Sequence, residues 1–155
     1  MPFRLTSPAF ADGAGIPARH TCDGENRSPL LTWSDVPEGT ASFALIMDDP
    51  DAPGGVFTHW VLYDIPADGT ELGESLGESS PGVAGMNSFR QAGYGGPCPP
   101  KHDPPHRYRF ALHALDVPSL GLPRHASRRD VEAAMAGHVL GVARLTGTYQ
   151  RTGRK

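Results

Sequence analysis

Long apolar runs are missing from this sequence of 155 residues. Residues 1–6 contain no apolar signal-peptide core, and no window approaches the roughly 20 apolar residues that a membrane-spanning helix needs. The sequence therefore predicts a cytoplasmic protein without a membrane span. A periplasmic location is expected only if a signal peptide has been removed from the chain.

Cysteine is also scarce, since only Cys22 and Cys98 are present. Two cysteines are too few for a small secreted domain held by disulfides, and they lack the CxxC spacing of zinc and redox motifs. Both lie in loops rich in glycine and proline, so they could meet in space. Because cytosolic thiols stay reduced, we expect two free thiols.

A strong charge of either sign is absent, since the formal net charge is −3. The bases are unevenly placed: residues 124–155 carry 7 of the 14 Lys and Arg residues and 2 of the 17 Asp and Glu residues. A basic end can bind nucleic acid. Here the bases are scattered over a predicted helix and a tail without interleaved aromatic residues, so we predict no nucleic-acid partner.

Glycine and proline are abundant, with 19 and 16 residues, and they separate short apolar runs. This pattern predicts one mostly β domain, residues 1–155, made of short strands joined by turns. The runs 42–47 and 58–65 are apolar on both faces, which predicts central, antiparallel neighbours. Further strands are predicted at 30–33, 108–115 and 144–151, with weak edge strands at 3–5 and 9–10.

One helix is predicted, at residues 127–140. Ser127 and Asp130 have the spacing of a capping box at its start, and Gly141 is expected to end it. Residues 67–92 are poor in apolar groups and interrupted by glycines, so we expect an extended surface excursion there.

The stretch 47–60 joins the two central runs and holds three carboxylates and a histidine. Pro50 and Pro53 restrict the backbone around them, so Asp49 and Asp51 are held in place. Asp-Pro and Pro-Gly are also ordinary turn sequences, so this loop alone does not indicate function.

A second loop, residues 93–100, has similar chemistry and also leads into a strand that begins with a histidine. The glycines of 93–96 could point bare backbone N–H groups into a pocket, and Tyr94 and Tyr108 could donate from their hydroxyls. The recurrence favours a functional site formed by both loops.

If the two loops converge, Asp49, Asp51, His59 and His106 line one pocket. Such a pocket suits an oxyanion, because histidine donates hydrogen bonds from one or both ring nitrogens. Carboxylates beside a histidine raise its pKa, and they could also bind the cationic end of a zwitterion such as an ethanolamine head group.

Two other interpretations of the same residues stay open. A divalent metal could bind two Asp and two His residues, although zinc ligands usually cluster more tightly in sequence. A hydrolase built on an Asp–His pair would need a nucleophile, and Cys98 lacks an evident base. We therefore predict no metal, no cofactor and no catalytic residue.

Five ordered motifs together resemble the phosphatidylethanolamine-binding protein family, in particular its bacterial branch of Raf-kinase-inhibitor-like proteins. The motifs are residues 22–26, 49–53, 59–60, 93–100 and 105–108. The resemblance implies a central antiparallel sheet, a smaller second sheet and a few peripheral helices. It also implies a small pocket for phosphate-like anions or phospholipid head groups such as phosphoethanolamine.

Carried over to this chain, the resemblance implies a small-ligand binding protein and not an enzyme. The alternative is a protein–protein inhibitor of a protease, kinase or lysozyme, and a homodimer could form; a phosphoester hydrolase is less favoured. The segment 87–90, Asn-Ser-Phe-Arg, departs from the Asn-Asp pair expected before the second loop and could alter the pocket rim. The implied ligand-binding residues are Asp49, Asp51, His59, Gly93, Tyr94, Gly95, Gly96, Pro97, His106 and Tyr108.

Overall fold

The computed structural model describes residues 2–76 and 80–151. Within these ranges the chain forms two antiparallel sheets, one α-helix and a short 3-10 helix at Ala18–His20. The strands are β1 Arg4–Thr6, β2 Leu31–Ser34, β3 Ser42–Asp49, β4 Phe57–Pro66, β5 Glu71–Leu72, β6 Val83–Ala84, β7 His106–Leu115 and β8 Val139–Tyr149, and the helix α1 is Arg128–Met135.

The larger sheet has the order β6-β4-β3-β7-β8. β3 lies in its middle, and every residue of Ser42–Asp49 is buried. β4 and β7 pair with its two edges in antiparallel register. Burial on both faces explains why β3 is apolar without alternation. The central, antiparallel pairing predicted for 42–47 and 58–65 is therefore confirmed.

Different elements cover the two faces of this sheet. The smaller sheet, with the order β1-β2-β5, packs on one face, where the rings of Trp33 and Phe43 lie 5.3 Å apart. α1 packs on the other face, where Val131 joins a second core cluster with Ile46 and Tyr63. The mostly β architecture with two sheets and a peripheral helix agrees with the prediction.

The start of α1 follows from its capping residue. Ser127 has an extended backbone, and its Oγ accepts a hydrogen bond from the backbone N–H of Asp130 at 3.1 Å. This bond satisfies one of the N–H groups that a helix start leaves unpaired. The predicted start of the helix is confirmed.

The predicted end of the helix, within 127–140 and before Gly141, is wrong. The helix ends at Met135, and Gly137 then adopts a positive φ of 83°, a conformation that favours glycine. From Val139 onward the chain pairs with β7. Residues from Val139 onward therefore make cross-strand hydrogen bonds with β7 in place of the helical hydrogen bonds that the sequence pattern predicts.

Other differences lie at the ends of elements. The weak strand predicted at 9–10 does not form, and Phe10 packs against the ring of Phe110 instead. β8 begins at Val139 and not at 144, because it follows β7 over its whole length. The excursion at 67–92 contributes the short edge strands β5 and β6, and its residues 77–79 lie outside the described ranges.

Both helices in the described ranges are short. α1 has 8 residues, and the 3-10 helix has 3. Neither is long and apolar enough to cross a bilayer.

Candidate ligand-binding site

A pocket of about 250 Å³ lies where β3 ends and where β4 and β7 begin. Four residues predicted for the site meet in it: Asp49, His59, His106 and Tyr108. Antiparallel pairing brings these strand ends together, since Asp49 is the last residue of β3 and His106 is the first of β7. The remaining lining residues are Ala52, Pro53, Phe57, Phe89, Cys98, Pro99 and Pro100.

Asp49 and His106 form a buried pair inside this pocket. His106 Nδ1 lies 2.7 Å from Asp49 Oδ2, and both side chains are at most 4% exposed. The other oxygen of Asp49 accepts the backbone N–H of Asp51 at 2.7 Å. Asp49 therefore fixes both the imidazole and the start of the loop that follows β3.

The surroundings of His106 favour the protonated, imidazolium form of its ring. Its Nε2 lies 3.0 Å from Asp103 Oδ2, so each ring nitrogen faces a carboxylate that can only accept. Burial alone would lower the pKa of His106, but the hydrogen bonds to Asp49 and Asp103 outweigh it and raise the pKa. A doubly protonated ring has no lone pair for a metal ion. Within the described ranges, no three His, Cys, Asp or Glu side chains converge as a metal site requires.

The surroundings of His59 favour the neutral form of its ring. In the pairing of β3 with β4, Met47 lies opposite Trp60 and Asp48 lies opposite Thr58, so His59 has no partner on β3. His59 is therefore the extra residue of a β-bulge, a feature that often redirects a side chain. Its Nδ1 lies 2.7 Å from the carbonyl oxygen of Gly95, which can only accept, so Nδ1 carries a proton. Burial lowers the pKa of His59, and the neutral ring leaves Nε2 as an acceptor.

The expectation that carboxylates raise the histidine pKa therefore holds for His106 and fails for His59. The lowering of the His59 pKa by burial is larger than the raising of that pKa by the charge of Asp49. His106 differs because its two ring nitrogens donate hydrogen bonds directly to two carboxylates.

Tyr108 lies between the two histidines and has an unsatisfied hydroxyl. Its ring centroid is 5.3 Å from that of His59 and 6.4 Å from that of His106. The hydroxyl is buried and has no hydrogen-bond partner among the described residues. Burial raises the pKa of Tyr108, and the carboxylate of Asp49, which lies near enough to act on the hydroxyl both by its charge and as an acceptor, raises it further, so the hydroxyl keeps its proton. An unpaired buried hydroxyl costs about 1–3 kcal/mol, which a ligand acceptor could recover.

Asp51 does not line the pocket. Its carboxylate accepts the Nε and Nη2 of Arg107 at 3.0 and 2.8 Å, and also the backbone N–H of Arg107 at 2.9 Å. These hydrogen bonds lower the pKa of Asp51 to about 2. The turn at Pro50 thus carries Asp51 out of the pocket, where it anchors the loop to β7.

The glycines of the second loop do not offer free amides to a ligand. Gly93 N donates to Gly85 O at 3.2 Å, and Gly95 N donates to His59 O at 2.9 Å. Gly96 N donates to a side-chain amide oxygen at 2.9 Å. The expectation of bare N–H groups is therefore wrong for all three, and they instead hold the loop against β4 and its neighbours.

Tyr94 and Pro97 also take structural positions. The buried Tyr94 hydroxyl donates to the carbonyl oxygen of His20 at 2.7 Å, and the ring packs edge-on against Trp60. Pro97 is buried, and its carbonyl oxygen accepts a backbone hydrogen bond from the loop at residue 22. Neither residue lines the pocket.

The sequence did not identify the apolar wall of the pocket. Phe57 and Phe89 meet edge to face with centroids 4.7 Å apart, and Phe89 also lies 5.4 Å from His59. The turn that presents Phe89 is held by Asn87, whose Oδ1 accepts the backbone N–H groups of Phe89 and Gln91. The departure at 87–90 was the only sequence signal for this residue, and Phe89 indeed forms part of the rim.

Cys22 and Cys98 form a disulfide, so the expectation of two free thiols is wrong. The two loops meet beside the pocket, where Cys22 N donates to Pro97 O at 3.1 Å and Gly96 N donates to Asn26 Oδ1 at 2.9 Å. This convergence joins cysteines that are 76 residues apart. The disulfide braces the pocket wall to which Cys98 belongs.

Several known proteins are similar to this chain in sequence. The sequence is 54% identical to a UPF0098 protein of Aquifex aeolicus over 94% of this chain and 86% of that protein. It is 43% identical to LppC of Mycobacterium tuberculosis, named as a candidate lipoprotein, over 96% of this chain and 73% of that protein.

Among solved structures, YbcL of Escherichia coli superposes with a TM-score of 0.90 at 38% identity, covering 97% of this chain and 99% of that one. YbcL is described as a member of the mammalian PEBP family. Residues 6–150 match the profile of the family described as phosphatidylethanolamine-binding protein. The chain therefore belongs to the phosphatidylethanolamine-binding protein family, in the branch that includes YbcL.

Proposed function

We propose that the pocket binds a small zwitterion with a phosphate-like group and an ammonium group, of which phosphoethanolamine is the simplest example. The observation that carries this proposal is the buried, unpartnered hydroxyl of Tyr108 between two histidines of different charge. The family description, which refers to phosphatidylethanolamine, supports the same choice because the head group of that lipid contains both groups.

The charges around the pocket favour a zwitterion over a bare anion. His106 contributes one positive charge, and the carboxylates of Asp49 and Asp103 contribute two negative charges at 2.7 and 3.0 Å from its ring. The net negative charge attracts an ammonium group and weakens the binding of an isolated dianion. A ligand that carries both charges matches both kinds of group.

Each end of the ligand has a matching set of atoms. The phosphate accepts a hydrogen bond from the Tyr108 hydroxyl and lies near the positive ring of His106. The ammonium group donates to Asp49 and to Nε2 of His59, which is an acceptor in the neutral ring. The carbon atoms of the ligand contact Phe57 and the rest of the apolar wall.

The proposal is for binding without turnover. The sulfur of Cys98 is held in a disulfide and cannot act as a nucleophile. The Tyr108 hydroxyl stays protonated because its pKa is raised, and the His106 ring has no free lone pair to serve as a base.

The cytoplasmic location remains a prediction, and the disulfide counts against it. Disulfides persist mainly in oxidising compartments. A relative named as a lipoprotein is consistent with a location outside the cytosol for some family members. Thiol trapping in intact cells would distinguish a cytosolic location from an oxidising one, because a cytosolic protein would yield two alkylated cysteines.

Calorimetric titration tests the binding proposal. Phosphoethanolamine, inorganic phosphate and ethanolamine are each titrated into the wild type, Tyr108→Phe and Tyr63→Phe. Tyr63 is the matched control, because its hydroxyl donates to Pro123 O on the opposite face of the sheet. A hydrogen bond to a charged group contributes about 1.5–3 kcal/mol, so Tyr108→Phe should weaken phosphoethanolamine binding by about tenfold or more.

We expect phosphoethanolamine to bind the wild type and Tyr63→Phe equally, and more tightly than either of its two halves. The proposal fails if the wild type binds none of the three compounds, or if Tyr108→Phe binds as the wild type does. Release of inorganic phosphate from phosphoethanolamine at catalytic rates would show that the protein is an enzyme.

A further inference from the structure

A second cavity, of about 260 Å³, lies on the opposite face of the central sheet. It occupies the space between α1 and the strands β3, β7 and β8. Arginines from three elements line it: Arg109 from β7, Arg128 from α1 and Arg144 from β8. We call this cavity, defined by these three side chains, the arginine groove.

Two of the arginines are fixed by one buried carboxylate. Asp48, which is 4% exposed, accepts Nε and Nη2 of Arg109 at 2.8 and 3.2 Å. Its Oδ2 also accepts Nη1 of Arg128 at 2.9 Å. A shared carboxylate holds the two guanidinium groups close to each other and in fixed orientations, so neither has to be ordered by a ligand.

These arginines keep unused donors. Arg109 binds Asp48 through Nε and Nη2, and Arg128 uses Nη1 for Asp48 and for Thr58 Oγ1 at 3.2 Å, and Nε for Glu132. A guanidinium has five N–H groups, so Nη1 of Arg109 and Nη2 of Arg128 still have protons to donate. Both side chains are partly exposed, at 48% and 28%, so a ligand from solvent can reach them.

The third arginine has no partner in the described parts of the chain. Arg144 is exposed and pairs through its backbone with Ala111 of β7, and no carboxylate lies within ion-pair distance of its guanidinium. Thr146, two residues further along β8, adds a hydroxyl to the lining. The groove therefore contains a free cation beside two cations that are already held in place.

The charges in the groove do not cancel. Three guanidinium groups face the two carboxylates of Asp48 and Glu132. His113, also in the lining, adds no charge at neutral pH, because burial and the nearby Arg144 lower its pKa. One positive charge remains in excess, and the guanidinium donors come from β7, β8 and α1.

We propose that the arginine groove binds a small oxyanion of the phosphate class. Guanidinium groups from β7, β8 and α1 approach one volume, and a tetrahedral oxyanion offers acceptors to all three at once. A single carboxylate could face only one of them in bidentate geometry. This site is separate from the pocket, since adjacent residues direct Asp48 to one face of the sheet and Asp49 to the other.

The test is a titration with inorganic phosphate followed by amide chemical shifts, at an ionic strength kept constant with sodium chloride. Signals of Ala111 and Thr146 report on the groove. The titration is run on the wild type, on Tyr108→Phe, on Arg144→Gln and on Arg129→Gln. Arg129 is the control because it is an exposed arginine of α1 that does not line the groove.

We expect saturable shifts at Ala111 and Thr146 in the wild type, in Tyr108→Phe and in Arg129→Gln. Arg144→Gln should raise the apparent Kd by about fivefold, as expected for loss of one charged contact near the surface. The proposal is overturned if the shifts rise linearly without saturation, which indicates screening only, or if both arginine variants show the same Kd.

Discussion

The clearest consequence of the buried Asp49–His106 pair concerns Asp49→Asn. The substitution keeps the shape of the side chain and an oxygen that accepts from His106 Nδ1, but it removes the negative charge. The imidazolium then keeps one carboxylate partner, Asp103, whose side chain is 35% exposed. The positively charged side chain of His106, which is only 3% exposed, then has one compensating carboxylate instead of two.

The size of the effect follows from this geometry. Removing one partner of a fully buried ion pair costs about 3–5 kcal/mol, and a single charged hydrogen bond contributes about 1.5–3 kcal/mol. Because the asparagine oxygen and Asp103 remain, we expect Asp49→Asn to lower the free energy of unfolding by about 2 kcal/mol near pH 6. For a domain of this size that lowers Tm by about 4–8 °C.

The pH dependence has a definite sign. The pKa of His106 is raised above its ordinary value of 6.5, so its protonation stabilises the wild type fully below about pH 6.5. This stabilisation is lost as the pH rises through the pKa of the folded state. The difference between wild type and Asp49→Asn should therefore be largest in acid and shrink in alkali.

Chemical unfolding at a series of pH values, with NMR titration of the His106 ring, measures both effects. Asp116→Asn is the matched control, because Asp116 pairs with His138 at 2.9 Å on the surface, where both side chains are 44% exposed. Its cost should be below about 1 kcal/mol. The account of His106 is refuted if the two variants lose equal stability, or if the pKa of His106 is the same in Asp49→Asn as in the wild type.

Three further changes give separate tests. Asp103→Ala frees Nε2 of His106 and removes a negative charge, so calorimetry should show severalfold tighter binding of inorganic phosphate; unchanged affinity would contradict the charge argument. Cys98→Ser opens the disulfide and should lower the free energy of unfolding by about 2–4 kcal/mol, and reductant should then destabilise the wild type alone. In Gly95→Ala the added Cβ would lie 2.5 Å from Phe89 Cδ2, so the ring must move and phosphoethanolamine affinity should change more than Tm does; an unaltered affinity would remove Phe89 from the binding account.

Local pattern was sufficient for the elements whose environment is uniform. β3 is apolar on both faces because it is buried on both. Ser127 caps α1 by accepting a hydrogen bond from Asp130, which is only three residues further along the chain. The end of that helix depends on a partner that is distant in sequence. Val139 pairs with Leu115, and nothing local to the segment indicates that pairing.

The same distinction applies to the pocket. Asp49, His59 and His106 could be predicted to lie together because they are polar residues close to strand ends and beside stiff loops. Asp51 was placed in the pocket wrongly, since its position is decided by Arg107 from another strand. Phe89 reaches the pocket through a turn held by a buried side chain, which the sequence pattern does not reveal.

A crystal structure of the protein with phosphoethanolamine would test the central claim most directly. The account predicts a phosphate oxygen within hydrogen-bond distance of Tyr108 Oη and the ammonium group within the same reach of Asp49. A ligand bound outside this pocket, or a bound ligand that leaves the Tyr108 hydroxyl without a partner, would contradict it.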